Sequence, residues 1–439
     1  MKKIHMYLSC CMLLIFLPVG VLAAGNHKLS LRKAIAIALR DSPLLQARES
    51  EVTGAIEGEK ARKGELLPRL DAYAGYQRTS APMAVVPIKG FNTTPPIFSR
   101  DHYQTGLTLS FPLYEGGRHR TRITTSKLLK TIAGKDLKFS QQEIIANVTN
   151  TFNRILSLKE LEAAQQRALA ALKNARNDTK KRLETGRAAP VELMKIDTQA
   201  AREEHDLIHT REAGIRTRQS LTALLGENPA VLPSVEGKLS TAFPELPETT
   251  DAHLEEMIKK RPDIRKSIQE VKLAAANVKL QKGYNLPDIT LTGDYGQRTG
   301  SELNDNEEVW SAGINVNLNI FNGGVTNARI RQAKAGLTAA RKRLQQQRLT
   351  AMTEIHQARS RIKEAGNRIQ MAIKTIRSAK ESYRIEDLKY RTGAGTITDS
   401  LLAQAAWFQA EALKAGAVYE LEKAMVDYRL ATGTIKEGI

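Results

Sequence analysis

The stretch FPLYEGGRHRTRI, Phe111 to Ile123, returns 207 residues later as LNIFNGGVTNARI, Leu318 to Ile330. Each copy reads as the end of a strand, a double-glycine turn (Gly116-Gly117 and Gly323-Gly324) and the start of a helix. The same offset carries Thr185-Gly186 onto Thr392-Gly393, Gly226 onto Gly433 and Tyr103 onto Trp310. Upstream, Pro43 falls on Pro262 and Leu67-Pro68 on Leu286-Pro287, at an offset of 219. The 12-residue difference lies between Pro68 and Tyr103, where segment 79–102, with Pro82, Pro87, Pro95 and Pro96, faces the shorter 299–309. One structural unit is written twice, and one loop differs in length.

Each copy predicts a hairpin. From Trp310 to Ile320, Trp310, Ala312, Ile314, Val316, Leu318 and Ile320 fall on one face and Ser311, Gly313, Asn315, Asn317 and Asn319 on the other, a period of two. Its partner spans Asp288 to Tyr295. In the first copy Tyr103, Thr105, Leu107, Leu109 and Phe111 alternate with polar residues, and Leu70, Ala72 and Tyr76 oppose Asp71 and Gln77. The hairpins are expected over about 68–113 and 287–320. Strands of about ten residues cross an outer membrane when tilted. Tyr76, Tyr103, Tyr295 and Trp310 gather at the loop ends, where amphipathic rings suit a membrane interface. Two hairpins on a soluble core would alternate in the same way. Four strands cannot close a barrel, and open edges cannot face lipid. Hairpins that enter a membrane must therefore be pooled, and three chains would supply twelve strands.

The helices are long. Residues 118–184 and 325–391 lack proline, and 67 residues of helix reach roughly 100 Å. Ala351, Ala358, Ala365, Ala372 and Ala379 repeat every seven, as do Ile355, Ile362, Ile369, Ile376, Tyr383 and Tyr390 four residues on. Ile144, Val148, Ile155 and Leu158 occupy equivalent places in the first copy. This is a coiled-coil seam of small residues opposed to large ones, which a soluble structural coiled coil would share. Gly186 and Gly393 stop the long helices at hairpin tips, and returning helices are expected over 190–226 and 397–433. These are too short to cover their partners. Helices near 43–66 and 262–283, stacked end to end with them, would complete a two-helix-thick wall.

Composition narrows the function. The 439 residues carry 66 Lys+Arg against 47 Asp+Glu, a net charge of +19, with 41% hydrophobic and 26% charged residues. The only cysteines, Cys10 and Cys11, exclude a disulfide scaffold and a cysteine metal site. Lys2-Lys3, an uncharged run to Leu22 and then Ala23-Ala24-Gly25 form a secretory signal over 1–24; a retained anchor is the alternative. No later stretch reaches 18 apolar residues, so the exported chain is soluble or forms a β-barrel. His205 and His209 have i, i+4 metal spacing but no third ligand cluster, so no metal site is expected. Phosphate loops and grouped nucleophile and base are absent, hence no catalytic residue and no cofactor. The basic clusters Arg341 to Arg343 and Lys180 to Arg182 would suit nucleic acid, but export argues against it. Lipopolysaccharide, acidic adaptors and anionic cargo are the remaining partners for such faces.

Taken in order, LSLRKAIAIALRDSP (Leu29 to Pro43), the two double-glycine turns, RPDI (Arg261 to Ile264) and YRTGAGTITDSLLAQ (Tyr390 to Gln404) resemble the outer-membrane efflux protein family, the TolC-like ducts. The resemblance covers almost all of the chain after the signal. It implies a first repeat over 25–226, a linker over 227–250 and a second repeat over 251–439. It also implies a homotrimer in the outer membrane, with a twelve-stranded barrel continued by a helical tunnel into the periplasm. The expected partners are a periplasmic adaptor (membrane fusion) protein and an inner-membrane pump of the RND or ABC type, in efflux or type I secretion. Acidic rings close the family's periplasmic end. Asp399 matches the first acid, Leu402 stands at the second, and Gly395 stands where a basic residue is often found, so the ring is thinner here. The internal repeat makes Glu192 the counterpart of Asp399. A carboxylate ring would attract cations; a solvated helix-start residue explains Asp399 as well. The other reading of the whole chain is a secreted, soluble coiled-coil structural protein.

Overall fold

The computed structural model describes residues 29–88, 97–243, 250–302 and 306–438. The expected signal segment, 1–24, lies outside the described residues. The chain runs α1 (Leu31–Asp41), α2 (Pro43–Gly64), β1 (Arg69–Ala84), β2 (Phe98–Glu115), α3 (Arg118–Glu184) and α4 (Pro190–Leu225). It continues with α5 (Asp251–Lys260), α6 (Pro262–Lys282), β3 (Asp288–Thr299), β4 (Glu307–Asn317), α7 (Val325–Thr392) and α8 (Ile397–Thr432). The second half repeats the order of the first.

The strands form one four-stranded sheet in the order β1-β2-β3-β4, antiparallel throughout. The two hairpins are thus joined through β2 and β3. Directly paired residues share a face, and the register lines up apolar positions of neighbouring strands toward the helix end. Leu70, Leu109, Gly293 and Ala312 lie in one row, and Ala72, Leu107, Tyr295 and Trp310 in the next, on the apolar face. Asp71, Thr108, Asp294 and Ser311 lie in a row on the polar face.

Strand β4 departs from the alternation-based expectation. It starts at Glu307 and ends at Asn317, so Leu318, Asn319 and Ile320 are not strand although their pattern continues. Asn317 pairs with Asp288, the first residue of β3. Pro287 precedes it and has no N–H to give. The ladder ends because its partner does. By contrast β2 runs 18 residues, since β1 supports it as far as Ser110 and β3 supports it on to Glu115.

At the strand-to-helix turns Gly116 and Gly117 both have positive φ (58° and 74°), as do Gly323 and Gly324 (64° and 78°). A Cβ on Gly116 would sit 2.2 Å from the carbonyl oxygen of Gly283, so only glycine fits this crossing. Behind the turn Arg118 is buried. It pairs with Asp288, donates from Nε to the Glu115 carbonyl at 3.0 Å and lies 4.3 Å over the Tyr284 ring.

The long helices α3 and α7 have 67 and 68 residues, roughly 100 Å each. Most of the predicted seams are buried: Ala351, Ile355, Ala358, Ile362, Ala365, Ile369, Ala372 and Tyr390 in α7, and Ile144, Val148, Ile155 and Leu158 in α3; Ile376, Ala379 and Tyr383 are half-buried in the single chain. Helix α4 lies along α3 and α8 along α7; nearer the sheet, α2 lies along α3, and α6 sits between α3 and α7. The short helices do stack on the returning ones. A Cβ on Gly226, just past α4, would meet the Asp41 carbonyl at 2.5 Å and Pro43 Cδ at 3.2 Å. Gly433, just past α8, stands against Arg261 in the same way.

The second joint is pinned by Arg261. It is buried, donates to the Ala431 carbonyl at 3.0 Å, and pairs with Asp263 (2.8 Å) and Glu354 (2.6 Å). Gln347 also donates to Asp263. Burial works against ionisation of Asp263, but the Arg261 fork outweighs it and holds the carboxyl below its ordinary range. The chain after α4 returns past both repeats. Val235 bridges to Leu29, Ser240 N–H donates to Glu422, and a Cβ on Gly366 would strike the Phe243 ring at 2.4 Å.

Candidate functional site

The four-stranded sheet lies at one end of the long helices and the hairpin tips at the other. These two ends carry the candidate functional groups.

At the sheet end the aromatics meet in pairs. Tyr76 pairs across the strands with Tyr103, ring centroids 4.8 Å apart, and Tyr295 pairs with Trp310. All four lie on the apolar face. Two of the hydroxyls are used: Tyr76 donates to Asp101 at 2.8 Å and Tyr295 to Glu308. The same face leaves Trp310 73%, Ile314 63% and Val316 66% exposed in the single chain. On the polar face Asp294 accepts from Thr108 at 2.7 Å. Tyr73 lies across Gly106 and Gly296: a Cβ on either glycine would come within about 3 Å of its hydroxyl oxygen. Among the described residues the outer edges of β1 and β4 pair with nothing.

At the opposite end both tips share one geometry. Gly186 and Gly393 take positive φ, 70° and 81°. Arg187 N–H closes on the Arg182 carbonyl and Ala394 N–H on the Lys389 carbonyl, which satisfies the last helical carbonyls. In α8 the cap residue Thr396 accepts from Asp399 N–H at 3.2 Å and donates to the Asp399 carboxylate at 2.7 Å. In α4 Glu192 accepts from Ala189 N–H at 3.2 Å.

The two acids proposed for the aperture differ in surroundings. Asp399 is exposed and held only by its own cap. Glu192 is half-buried and bonded across to the other hairpin, accepting from the Tyr390 hydroxyl at 2.9 Å. That hydroxyl has one proton, so Thr179, 3.0 Å away, is the donor to Tyr390. Arg182 lies 4.8 Å over the Tyr390 ring and donates to its carbonyl, and Ile196 and Ile397 complete a small core. Burial, reinforced by Glu192, raises the Tyr390 phenol and keeps it a donor. Lys195 adds a 2.8 Å bond to Thr398. Above this clasp is a cavity of about 460 Å³, lined by Asp178, Tyr383, Ser400 and Gln404 among others. Sequence reasoning placed Tyr390 in the seam and missed its hydroxyl. The signal was a phenol at the last heptad position, where a core needs no oxygen.

His205 and His209 are both exposed on α4. Among the described residues no group of His, Cys, Asp and Glu could hold a metal ion, and no helix is long and apolar enough to cross a membrane.

The profile of the outer membrane efflux protein family matches residues 34–227 and 253–434. Outer membrane protein TolC of Vibrio cholerae is 21% identical over 426 residues, 95% of this chain and 94% of that protein. The crystal structure of VceC from Vibrio cholerae superposes with a TM-score of 0.78 at 18% identity, covering 92% of this chain and 96% of that one. The CmeC channel of Campylobacter jejuni gives a TM-score of 0.78 at 21% identity, covering 92% and 85%.

Proposed function

Because this chain belongs to the outer membrane efflux protein family, we propose that three copies close one twelve-stranded pore and pass cargo outward from the helical tips. The chain is an outer-membrane exit duct with its helical part in the periplasm; the family consists of channels rather than enzymes. TolC-like channels are trimers that work with efflux pumps. The finer reading is an inner-membrane pump of the RND or ABC type, coupled through a periplasmic adaptor at the helical tips, in efflux or type I secretion.

One observation carries the trimer: toward the helices the sheet has an apolar face and a polar face, yet among the described residues both outer edges are open. Unpaired N–H and C=O groups cost several kcal/mol each in hydrocarbon, so neighbouring copies must pair with them. The apolar face then meets lipid, with the aromatic pairs at one interface, and the polar face lines the lumen. Asp399 is the aperture acid. Three copies set three exposed carboxylates around the axis, where they draw cations. Glu192 holds the hairpins together through Tyr390.

Fractionation and electrical recording test this together. The protein is expected in outer membranes, as a heat-sensitive trimer that gives discrete conductance steps in planar bilayers. A monomer in the soluble periplasmic fraction would overturn the reading.

A further inference from the structure

The sequence repeat and the observed register together fix how one copy's sheet joins the next. Moving β1 by 219 residues and β2 by 207 turns the pair Tyr76 and Tyr103 into Tyr295 and Trp310, and Arg69 and Ser110 into Asp288 and Asn317. Both of these pairs are present in the second hairpin. The repeat therefore maps register onto register without slippage. The joint between the two hairpins, β2 with β3, can be mapped in the same way. Its image pairs β4 with β1 of the following copy.

We infer that β4 pairs with β1 of a second copy in one register: Ile314 against Tyr76, Val316 against Ala74, Asn317 against Tyr73 and Leu318 against Ala72. This rests on the trimeric reading above and adds its seam. The parent pairs are Leu107 with Tyr295, Leu109 with Gly293, Ser110 with Thr292 and Phe111 with Leu291. Past Pro112 the parent joint shifts by one and continues through Tyr114 with Ile289 and Glu115 with Asp288. The seam then continues through Phe321 against Leu70 and Asn322 against Arg69.

Two independent features agree with this register. It matches faces: Ile314, Val316 and Leu318 lie on the apolar side with Tyr76, Ala74 and Ala72, and Asn317 lies on the polar side with Tyr73. A slip of one residue would reverse every pair. It also supplies partners for Leu318, Asn319, Phe321 and Asn322, which have no ladder in the single chain, and leaves Ile320, the image of unpaired Leu113, at the shift. Phe321 is 87% exposed there, and this register seats it against Leu70. Segment 318–322 thus becomes strand on association, interrupted at Ile320, and β4 then ends at Asn322, the counterpart of Glu115 at the end of β2. One element does not repeat. The ion pair of Arg118 with Asp288 maps onto Val325 and Arg69, so the seam lacks the salt link of the joint inside the chain.

Cysteine pairs read the register directly. Ala74→Cys with Val316→Cys is made in the full chain with Cys10 and Cys11 changed to serine, and oxidised in outer membranes. Within one copy Ala74 shares a row with Thr105, Gln297 and Glu308, so Val316 lies three strand spacings across and eight residues along the sheet, roughly 30 Å away, too far for a disulfide. The expected result is a covalent trimer on a non-reducing gel, with at least tenfold less product from Ala72→Cys or Tyr76→Cys paired with Val316→Cys. Amides of 318–322 are expected to exchange slowly in the trimer. Faster linkage of a shifted pair, or no linkage in an intact trimer, overturns the seam and leaves the pore reading standing. A monomer by sizing overturns both.

Discussion

The Tyr390 hydroxyl, near the end of α7, donates a 2.9 Å hydrogen bond to Glu192 in the first turn of α4. The two residues belong to different repeats and lie 198 positions apart. With Thr179 donating to the same oxygen, one phenol fastens the second hairpin to the first at the tips. If the tips form the aperture proposed above, loosening it means breaking this clasp.

Tyr390→Phe keeps the ring against Ile196 and Ile397 and removes both bonds. Each is worth about 0.5–1.5 kcal/mol net, so the clasped arrangement should lose roughly tenfold in population. Single-channel recordings are expected to show larger or more frequent openings, while trimer content is unchanged. Traces identical to wild type would show that the clasp does not hold the aperture.

Asp399→Ala removes an exposed carboxylate from each copy and one donor–acceptor pair from the α8 cap. Reversal potentials in asymmetric salt should move toward anion preference, with a cap loss of about 1 kcal/mol at most in stability. Asp399→Asn keeps the cap geometry and should show the same selectivity change with less destabilisation. An unchanged reversal potential in both variants would remove Asp399 from the permeation path.

Arg261→Met leaves Asp263 buried without its fork and the Ala431 carbonyl without its donor. Breaking a buried pair from one side costs about 3–5 kcal/mol, so the melting temperature should fall clearly by calorimetry, more than for Arg261→Lys. The pH sign follows from Asp263. Its folded carboxyl is held below the ordinary value of 3.8, so its contribution is complete above that value and is lost as pH falls through the lower, folded one. The gap between wild type and Asp263→Asn should therefore close as pH falls below about 3.8. A gap independent of pH would mean that the ion pair adds nothing.

Gly336 and Gly366 both lie inside α7, but only the second has a neighbour. A Cβ at Gly336 meets nothing within 4 Å, and one at Gly366 strikes the Phe243 ring. Gly336→Ala should stabilise by about 1 kcal/mol through helix propensity. Gly366→Ala should fail to stabilise, because it displaces the segment that crosses the hairpin at Phe243. Equal gains in thermal unfolding would show that Phe243 is not seated there.

Much of this architecture was legible because repetition and periodicity are local signals. The offsets aligned the hairpins, the heptads of α7 marked its buried seam, and the double glycines marked the turns. The end of β4 was not legible, because alternation records which face a residue prefers and not whether a partner strand is present. Arg261 was read only as part of a motif. Its contacts with Ala431 and Glu354 join elements more than 90 residues away in sequence. The Tyr390 clasp was hidden for the same reason: the heptad reports the ring, and the hydroxyl's partners lie in the other repeat.

The two abutting joints, at Gly226 with Asp41 and at Gly433 with Arg261, make half of the wall articulated while α3 and α7 run through unbroken. Twisting forces applied at the tips by a docked assembly can be absorbed where one rod ends and the next begins. In the trimer proposed above, the cylinder in the lipid would then keep its bore and its seal while the far mouth changed diameter, so that the conduit could be opened from inside the cell without loosening its outer skin.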